Sequence, residues 1–352
     1  EQLAITNSRV DGLEARLNNI EAGSFSETTS ASFSADFAIG AVDGQGITTT
    51  DKIGTEALSA VYGFQIDLTT SFTGEDSLDI SIDAGNAGSA TSPLGEFDLN
   101  STGDALKVDG IAYSFPIGDS VSAIVGAQGT DGSALFTTAC TYGGPSNTLD
   151  DCGNVQSAFV GQGTMFGATY AFNDELSMSV GYAGDGKTAT TGLMTKEGLD
   201  AVGINAAYIT DTYGLSVTYA SVETANAKGT AAGVYSDTSV ALNGYFSPEG
   251  FPSISAGYEF TDIGGAGPNV DEKTSFFVGL QLDEAGPGTA GIAVGTQGSI
   301  TEGNDEALMY EAYYSYPVND GMTITPLVYA KEKTSSTDED ETGVMVKTSF
   351  SF

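Results

Sequence analysis

The chain has 352 residues, 47 acidic and 11 basic, for a formal net charge of −36 at pH 7. Charge of that sign and size repels a phosphate backbone, so nucleic acid is excluded as a partner. There is no histidine, which removes Ser-His-Asp triads, Cys-His nucleophiles and imidazole metal sites together, so no enzyme, metal centre or cofactor is expected.

The first residue is Glu1, and EQLAITNSRVDGLEARL has neither the basic nor the apolar region of a signal peptide, so a mature form or a fragment is expected. No stretch approaches the roughly 20 apolar residues of a transmembrane helix. The 40% hydrophobic content suits a soluble protein, but a membrane barrel would hide its apolar face behind alternation. Within residues 1–23, Leu3, Val10, Leu13, Leu17 and Ile20 form an a/d heptad seam, with Thr6 at the missing position and Gly23 as a stop. Such a short seam is marginal alone. It reads as the end of a longer coiled coil, the alternative being one amphipathic helix on its own domain.

From Phe25 onward the period is two, and residues 24–352 are expected to form one barrel. Ala31, Phe33, Ala35, Phe37 and Ile39 share one face, with Ser32, Ser34 and Asp36 on the other. Leu78, Ile80 and Ile82 oppose Asp79, Ser81 and Asp83 in the same way. Sixteen such segments are predicted: 30–41, 57–72, 77–85, 105–115, 120–128, 160–172, 175–183, 200–210, 213–222, 236–246, 253–262, 273–282, 288–296, 306–316, 322–331 and 343–352. Short turns such as GEDS (74–77) and NDE (173–175) alternate with longer loops. Phe72, Phe115, Phe172, Tyr208, Tyr213, Phe246, Tyr316, Phe350 and Phe352 gather near the short-turn ends, as a girdle at a membrane interface would. The predicted fold class is therefore all-β: a 16-stranded antiparallel transmembrane β-barrel with a short N-terminal coiled-coil helix. A β-sandwich has no reason to sort its connections by length.

A barrel of that size holds an aqueous channel. Asp36, Asp67, Asp79, Asp83, Lys107, Asp109, Asn205, Glu259, Glu311 and Lys347 fall on the polar, inward phase. Each alone reads as a solvated side chain, but together they make the lumen acidic and weakly cation-favouring. The longest loop, 129–159, carries Asp131, Asp150 and Asp151, the apolar run Ala134-Leu135-Phe136, and the two cysteines of the chain, Cys140 and Cys152. It is expected to fold inward and narrow the pore, a surface cap being the alternative, and Cys140–Cys152 is expected to stiffen it as a disulfide, two unpaired thiols being the alternative. The run SSTDEDET (335–342) could loosely hold calcium, but it lacks EF-hand spacing and reads better as a solvated loop tip.

The junction RVDGLEARLNNIEAGSFSETT, a coiled coil running straight into a first strand, resembles the cyanobacterial outer-membrane porins. That group is also described as S-layer-homology-domain, OprB-like or iron-uptake porins. The resemblance implies a homotrimeric barrel in outer-membrane lipid, a coiled coil in the periplasm, and an S-layer-homology domain, absent from this chain, that grips a peptidoglycan-linked polymer. It implies passive diffusion of inorganic ions and small hydrophilic solutes. The barrel contains no arginine, so the arginine ladder of enterobacterial porins cannot be built. A channel specific for sugars or chelated iron, and a mainly structural envelope anchor, are competing readings. The ending VMVKTSFSF (344–352) reads as the sixteenth strand, paired with the first to close the barrel without a tail. By resemblance, Phe350 and Phe352 are the signal read by the outer-membrane assembly machinery.

Overall fold

A computed structural model of the chain describes residues 28–44, 57–87, 94–127, 130, 132–159, 163–186, 188, 192–195, 198–225, 234–264, 271–333 and 339–352. The heptad segment with Leu3, Val10, Leu13, Leu17 and Ile20 lies outside them, as do Asp131 and 335–338 of the acidic run.

Alternating sequence becomes strand throughout. The strands are β1 (Thr29–Asp43), β2 (Ser59–Thr70), β3 (Ser77–Gly85), β4 (Lys107–Ile117), β5 (Val121–Ala127), β6 (Thr164–Ala171), β7 (Leu176–Gly184), β8 (Asp200–Ile209), β9 (Tyr213–Ala225), β10 (Val234–Phe246), β11 (Ser253–Asp262), β12 (Glu272–Ala285), β13 (Gly288–Thr296), β14 (Ile300–Thr301), β15 (Leu308–Asn319), β16 (Met322–Lys331) and β17 (Glu341–Ser351). Sixteen are wall strands, each antiparallel to its neighbours. β14 is a two-residue strand inside a long connection and pairs with β12. All sixteen predicted segments coincide with wall strands, their ends differing by a few residues.

Closure is the pairing of β17 with β1, from Ser34 opposite Ser351 to Asp43 opposite Thr342. Phe33 and Phe352 exchange backbone N–H···O bonds of 3.0 Å in both directions. Their rings stack at 5.8 Å, and Phe37 meets Phe350 edge-on at 6.1 Å. No edge strand is left among the wall strands, which is what hydrocarbon demands of a β structure.

The two faces of the wall differ as the period requires. Val180, Val202, Ile204, Leu215, Val217, Val240, Leu242, Ile292, Val328 and Val344 are exposed on the outside. Their alternates, among them Asn205, Thr218, Asn243 and Ser255, are buried on the inside. Phe72, Phe172, Tyr208, Tyr213, Phe246, Tyr316 and Phe352 of the expected girdle are exposed. An outer wall of that composition belongs in lipid rather than water.

Strands β2 and β3 are joined through Asp76. One carboxylate oxygen accepts from Ser71 Oγ (2.9 Å), the amides of Phe72 (2.9 Å) and Thr73 (2.7 Å), and Thr73 Oγ1 (2.7 Å). The other accepts from Tyr113 Oη on β4 at 2.7 Å. Burial opposes the charge, yet the bonds from Thr73, Tyr113 and Ser71 prevail and hold the carboxyl well below the ordinary carboxylate range. A depressed carboxyl stabilises the fold above its unfolded pKa and loses that contribution as pH falls. Asp76→Ala is expected to lower the thermal midpoint of the barrel at pH 7, with Asp76→Asn intermediate. The deficit should shrink at acid pH, as read from the temperature at which the compact form disappears on electrophoresis.

Candidate functional site

The loop 130–159 lies inside the barrel, held by inward-facing side chains. Its outgoing arm donates from Thr137 N to Asn205 Oδ1 (3.1 Å), from Ala139 N to Ser216 Oγ (2.8 Å), from Thr141 N to Ser255 Oγ (2.9 Å) and from Gly143 N to Gln281 Oε1 (2.7 Å). Tyr142 Oη donates to Glu311 Oε1 at 2.7 Å. On the returning arm, Asn243 Nδ2 donates to Cys152 O and Ser275 Oγ to Gly153 O, both at 2.9 Å. Glu259 accepts from Gln156 N and Ser157 N, each at 2.8 Å, and from Ser157 Oγ at 2.7 Å. Cys140 and Cys152 are joined as a disulfide between the two arms.

The apolar run of the loop has a prepared seat. Gly167, Gly181 and Gly203 are register partners on three adjacent strands. A Cβ at Gly167 or Gly181 would strike Leu135, and one at Gly203 would strike Phe136 and Phe159. Leu135, Phe136 and Phe159 are buried there with Met165, Ala183, Ala201 and Ala220. Farther round, the space over Gly279 is filled by Phe277 and Tyr142, and that over Gly291 by Tyr313 and Tyr142.

Residues 94–99 of a second long connection also lie inside the barrel, where the sequence pattern gave no expectation of a loop. Leu94, Phe97 and Leu99 are buried with Ala38 and Val42 of β1, Leu327 and Tyr329 of β16, Met345 of β17, and Tyr142 and Leu149 of the first loop. Burying each such side chain contributes roughly 1.5–3 kcal/mol. Glu96, 2% exposed, joins the two loops. Its carboxylate accepts from Thr148 N (3.2 Å) and Thr148 Oγ1 (3.0 Å), and its carbonyl from Asn147 N (2.9 Å). The same carboxylate pairs with Lys331 of β16.

The expected lumenal residues divide into two groups. Asp36, Asp67, Asp79, Asp83, Lys107 and Lys347 lie on the inner face of β1–β4 and β17, and Lys107 is opposite Asp83 in the register. Asp109 is the extra residue of a bulge between Ser81–Gly110 and Ile82–Val108 and adds its charge to that of Asp83 and Asp98. Asp67 accepts from Ser81 Oγ at 2.7 Å and Asp79 from Thr69 Oγ1 at 2.8 Å. Lys347 Nζ lies 5.4 Å from the centroid of Phe97. Glu259 and Glu311, read as solvated lumenal carboxylates, are 1% and 4% exposed beneath the first loop. Alternation marks them as inward, and nothing in it distinguishes a wetted inward position from a covered one. Neither they nor Asn205 face the aqueous path; all three fasten the loop.

Asp150 and Asp151 sit on the far limb of the first loop, beside a cavity of about 350 Å³ that is also lined by Phe136, Tyr142 and the disulfide. Enclosure within the barrel, then the charges of Asp151 and Asp98, push the Asp150 carboxyl up to about 7. Asp98 is raised by its surroundings and by Glu96, with Lys347 opposing. The charge of Asp109 thus acts on Asp83 and Asp98, and the charges of Asp98 and Asp151 act on Asp150. Among the described residues no group of three or more His, Cys, Asp or Glu is placed to hold a metal ion.

A closed sixteen-strand wall, an apolar exterior and a long loop pinned inside the mouth define the architecture of an outer-membrane porin barrel. Solved porins share it. The high-pH structure of OprB from Pseudomonas putida matches with a TM-score of 0.64 at 10% identity, over 92% of this chain and 94% of that one. An anion-selective porin from Comamonas acidovorans gives 0.64 at 13% identity, over 92% and 99%. A loop-deletion mutant of OmpT, an outer membrane protein of Vibrio cholerae, gives 0.59 at 10% identity, over 92% and 99%. Identities this low show the fold alone. In sequence, an uncharacterised protein of Nostoc sp. is 25% identical over 409 residues, spanning 100% of this chain and 70% of that protein. No family model matches the chain.

Gly203→Val should force Phe136 and Phe159 off their seat at a cost of about 1–3 kcal/mol, typical of overpacking. The expected readouts are a lower thermal midpoint and a noisier single-channel current. Unchanged values of both would mean that the loop does not depend on the seat.

Proposed function

We propose that the chain is a passive diffusion channel of the outer membrane for inorganic ions and small hydrophilic solutes, weakly cation-favouring. The observation that carries the reading is the loop 130–159, pinned across the interior by Asn205, Ser216, Ser255, Glu259 and Glu311 and facing a wall that bears Asp36, Asp67, Asp79, Asp83 and Asp109. A loop held so firmly narrows a channel without closing it. Carboxylates along the remaining opening raise the local cation concentration.

The family resemblance adds finer proposals. The barrel is a homotrimer, and the heptad segment continues a periplasmic coiled coil. A domain preceding it tethers the outer membrane to a peptidoglycan-linked polymer. Phe350 and Phe352 serve as the assembly signal, consistent with the backbone bonds between Phe352 and Phe33. Deleting residues 1–23 should weaken envelope attachment while leaving conductance in place. The cavity beside Tyr142 and Asp150 favours one competing reading, a channel specific for sugars or chelated iron; block of ion current by such a solute at millimolar concentration or below would decide for it.

Selectivity is expected to depend on pH through Asp150. A carboxyl with its midpoint near 7 is largely protonated at pH 6 and largely ionised at pH 8, so raising the pH adds negative charge to the path. Reversal potentials under a salt gradient in a planar bilayer should therefore show cation preference rising between pH 6 and 8, with the rise absent in Asp150→Asn. Anion preference at pH 8 would overturn the cation-favouring reading.

A further inference from the structure

Of the six consecutive residues Leu94–Leu99 inside the barrel, five are buried: Leu94, Gly95, Glu96, Phe97 and Leu99. Asp98 alone is exposed. Its backbone is in the left-handed region, with φ 43°, a conformation that aspartate tolerates better than most residues. Its amide donates to Gly95 O at 3.0 Å. The segment is thus anchored by apolar side chains on both sides of a residue whose carboxylate is turned away from them toward water. The water it meets is the lumen, because Asp98 shares its field with Asp109 of the inner wall, Lys347 of β17 and Asp150 of the first loop.

We propose that residues 94–99 form a second constriction segment, that Glu96 is the positioning residue clamping it to loop 130–159 and to Lys331, and that Asp98 is thereby held in the aqueous path as a determinant of cation selectivity. The proposal rests on the diffusion-channel reading and adds to it a loop and a residue with a stated part in passage. Glu96 suits the positioning role because it ties its own segment to two others, loop 130–159 and β16. Its carboxylate takes both Thr148 donors and Lys331, and its carbonyl takes Asn147 N. Nearly inaccessible itself, it does not touch ions and acts through what it holds and through its charge on Asp98. Asp98 suits the selecting role because it is exposed between buried anchors and its charge acts on Asp150, with the ammonium of Lys347 as counter-charge.

The test is electrical. Asp98→Cys, purified without reductant so that Cys140–Cys152 stays paired, is recorded in a planar bilayer while a positively charged methanethiosulfonate is added. Current should fall within the recording, and wild type should not respond. Asp98→Asn should lower the cation-to-anion permeability ratio by about twofold, the scale of one unit charge acting through water at about 10 Å. It should also move the pH midpoint of selectivity to lower pH, because a charge that hinders ionisation of Asp150 is gone. A residue with a merely structural role would not move that midpoint. Glu96→Ala should abolish the thiol-reagent response in the Asp98→Cys background, and Glu96→Gln, which still accepts from Thr148, should restore part of it. Unchanged current after modification confirmed by mass spectrometry overturns the proposal. So does an Asp98→Asn channel with wild-type selectivity and midpoint. If wild type inserts but does not conduct, the diffusion reading falls with it, whereas a conducting wild type with an unresponsive Asp98→Cys counts against this inference alone.

Discussion

Everything in this molecule follows from the closure of one hydrogen-bonded ladder. In hydrocarbon an unpaired N–H or C=O costs several kcal/mol, so β17 must find β1, as it does over ten register pairs. Closure with antiparallel neighbours requires an even number of wall strands and sorts the connections by end. The seven links beginning with 71–76 are short, and the eight beginning with 44–58 are longer. Every long loop then opens at the same mouth. The interior, too wide to be filled by wall side chains alone, becomes the space into which loops can fold.

Two problems come with a loop inside a barrel, and the inner wall answers each with different residues. The first is volume. Glycine at 167, 181 and 203 lets Leu135, Phe136 and Phe159 approach the backbone, and glycine at 279 and 291 does the same for Tyr142. The second is the loop's polar backbone, which cannot be left dry. Asn205, Ser216, Ser255, Gln281 and Glu259 accept its amides. Glu259 is the most demanding of these, since a carboxylate covered to 1% exposure is tolerable only with its oxygens filled. The Gln156 and Ser157 amides and the Ser157 hydroxyl fill them. Wall and loop each satisfy groups that the other would leave stranded.

Much of this was legible in the sequence because lipid and water impose opposite demands on alternate residues. Val344, Val346, Phe350 and Phe352 against Lys347, Ser349 and Ser351 could be assigned to faces without coordinates, and so could the mouth and turn ends. The inward course of 129–159 was legible from Leu135 and Phe136, which have little use outside a barrel. Leu94, Phe97 and Leu99 carry the same signal more faintly, because Gly95, Glu96 and Asp98 separate them and no continuous apolar run marks the segment. The fates of Asp67 and Glu259 were not legible. Both are acidic, both inward, and a period of two says nothing about what lies over them. The inward glycines of β6–β8 were the available clue, since a wetted wall has no need of them.

The charge of the opening follows from the same division between covered and open wall. Among the described residues, Lys273 pairs with Asp237 at 3.4 Å, Lys331 with Glu96, and Lys347 rests over Phe97. Asp237 and Glu96 are each 2% exposed, so the first two lysines neutralise carboxylates that would otherwise be buried with uncompensated charge. They are spent on holding the interior together and leave little positive field for the water-filled side. A lysine ammonium is moreover a single point charge, without the planar fork through which arginine engages several partners at once. The acids on the open side, Asp98, Asp109 and Asp150, are opposed chiefly by Lys107 and Lys347. The sign of the path is therefore set by which carboxylates the loops leave uncovered, more than by the formal net charge of −36.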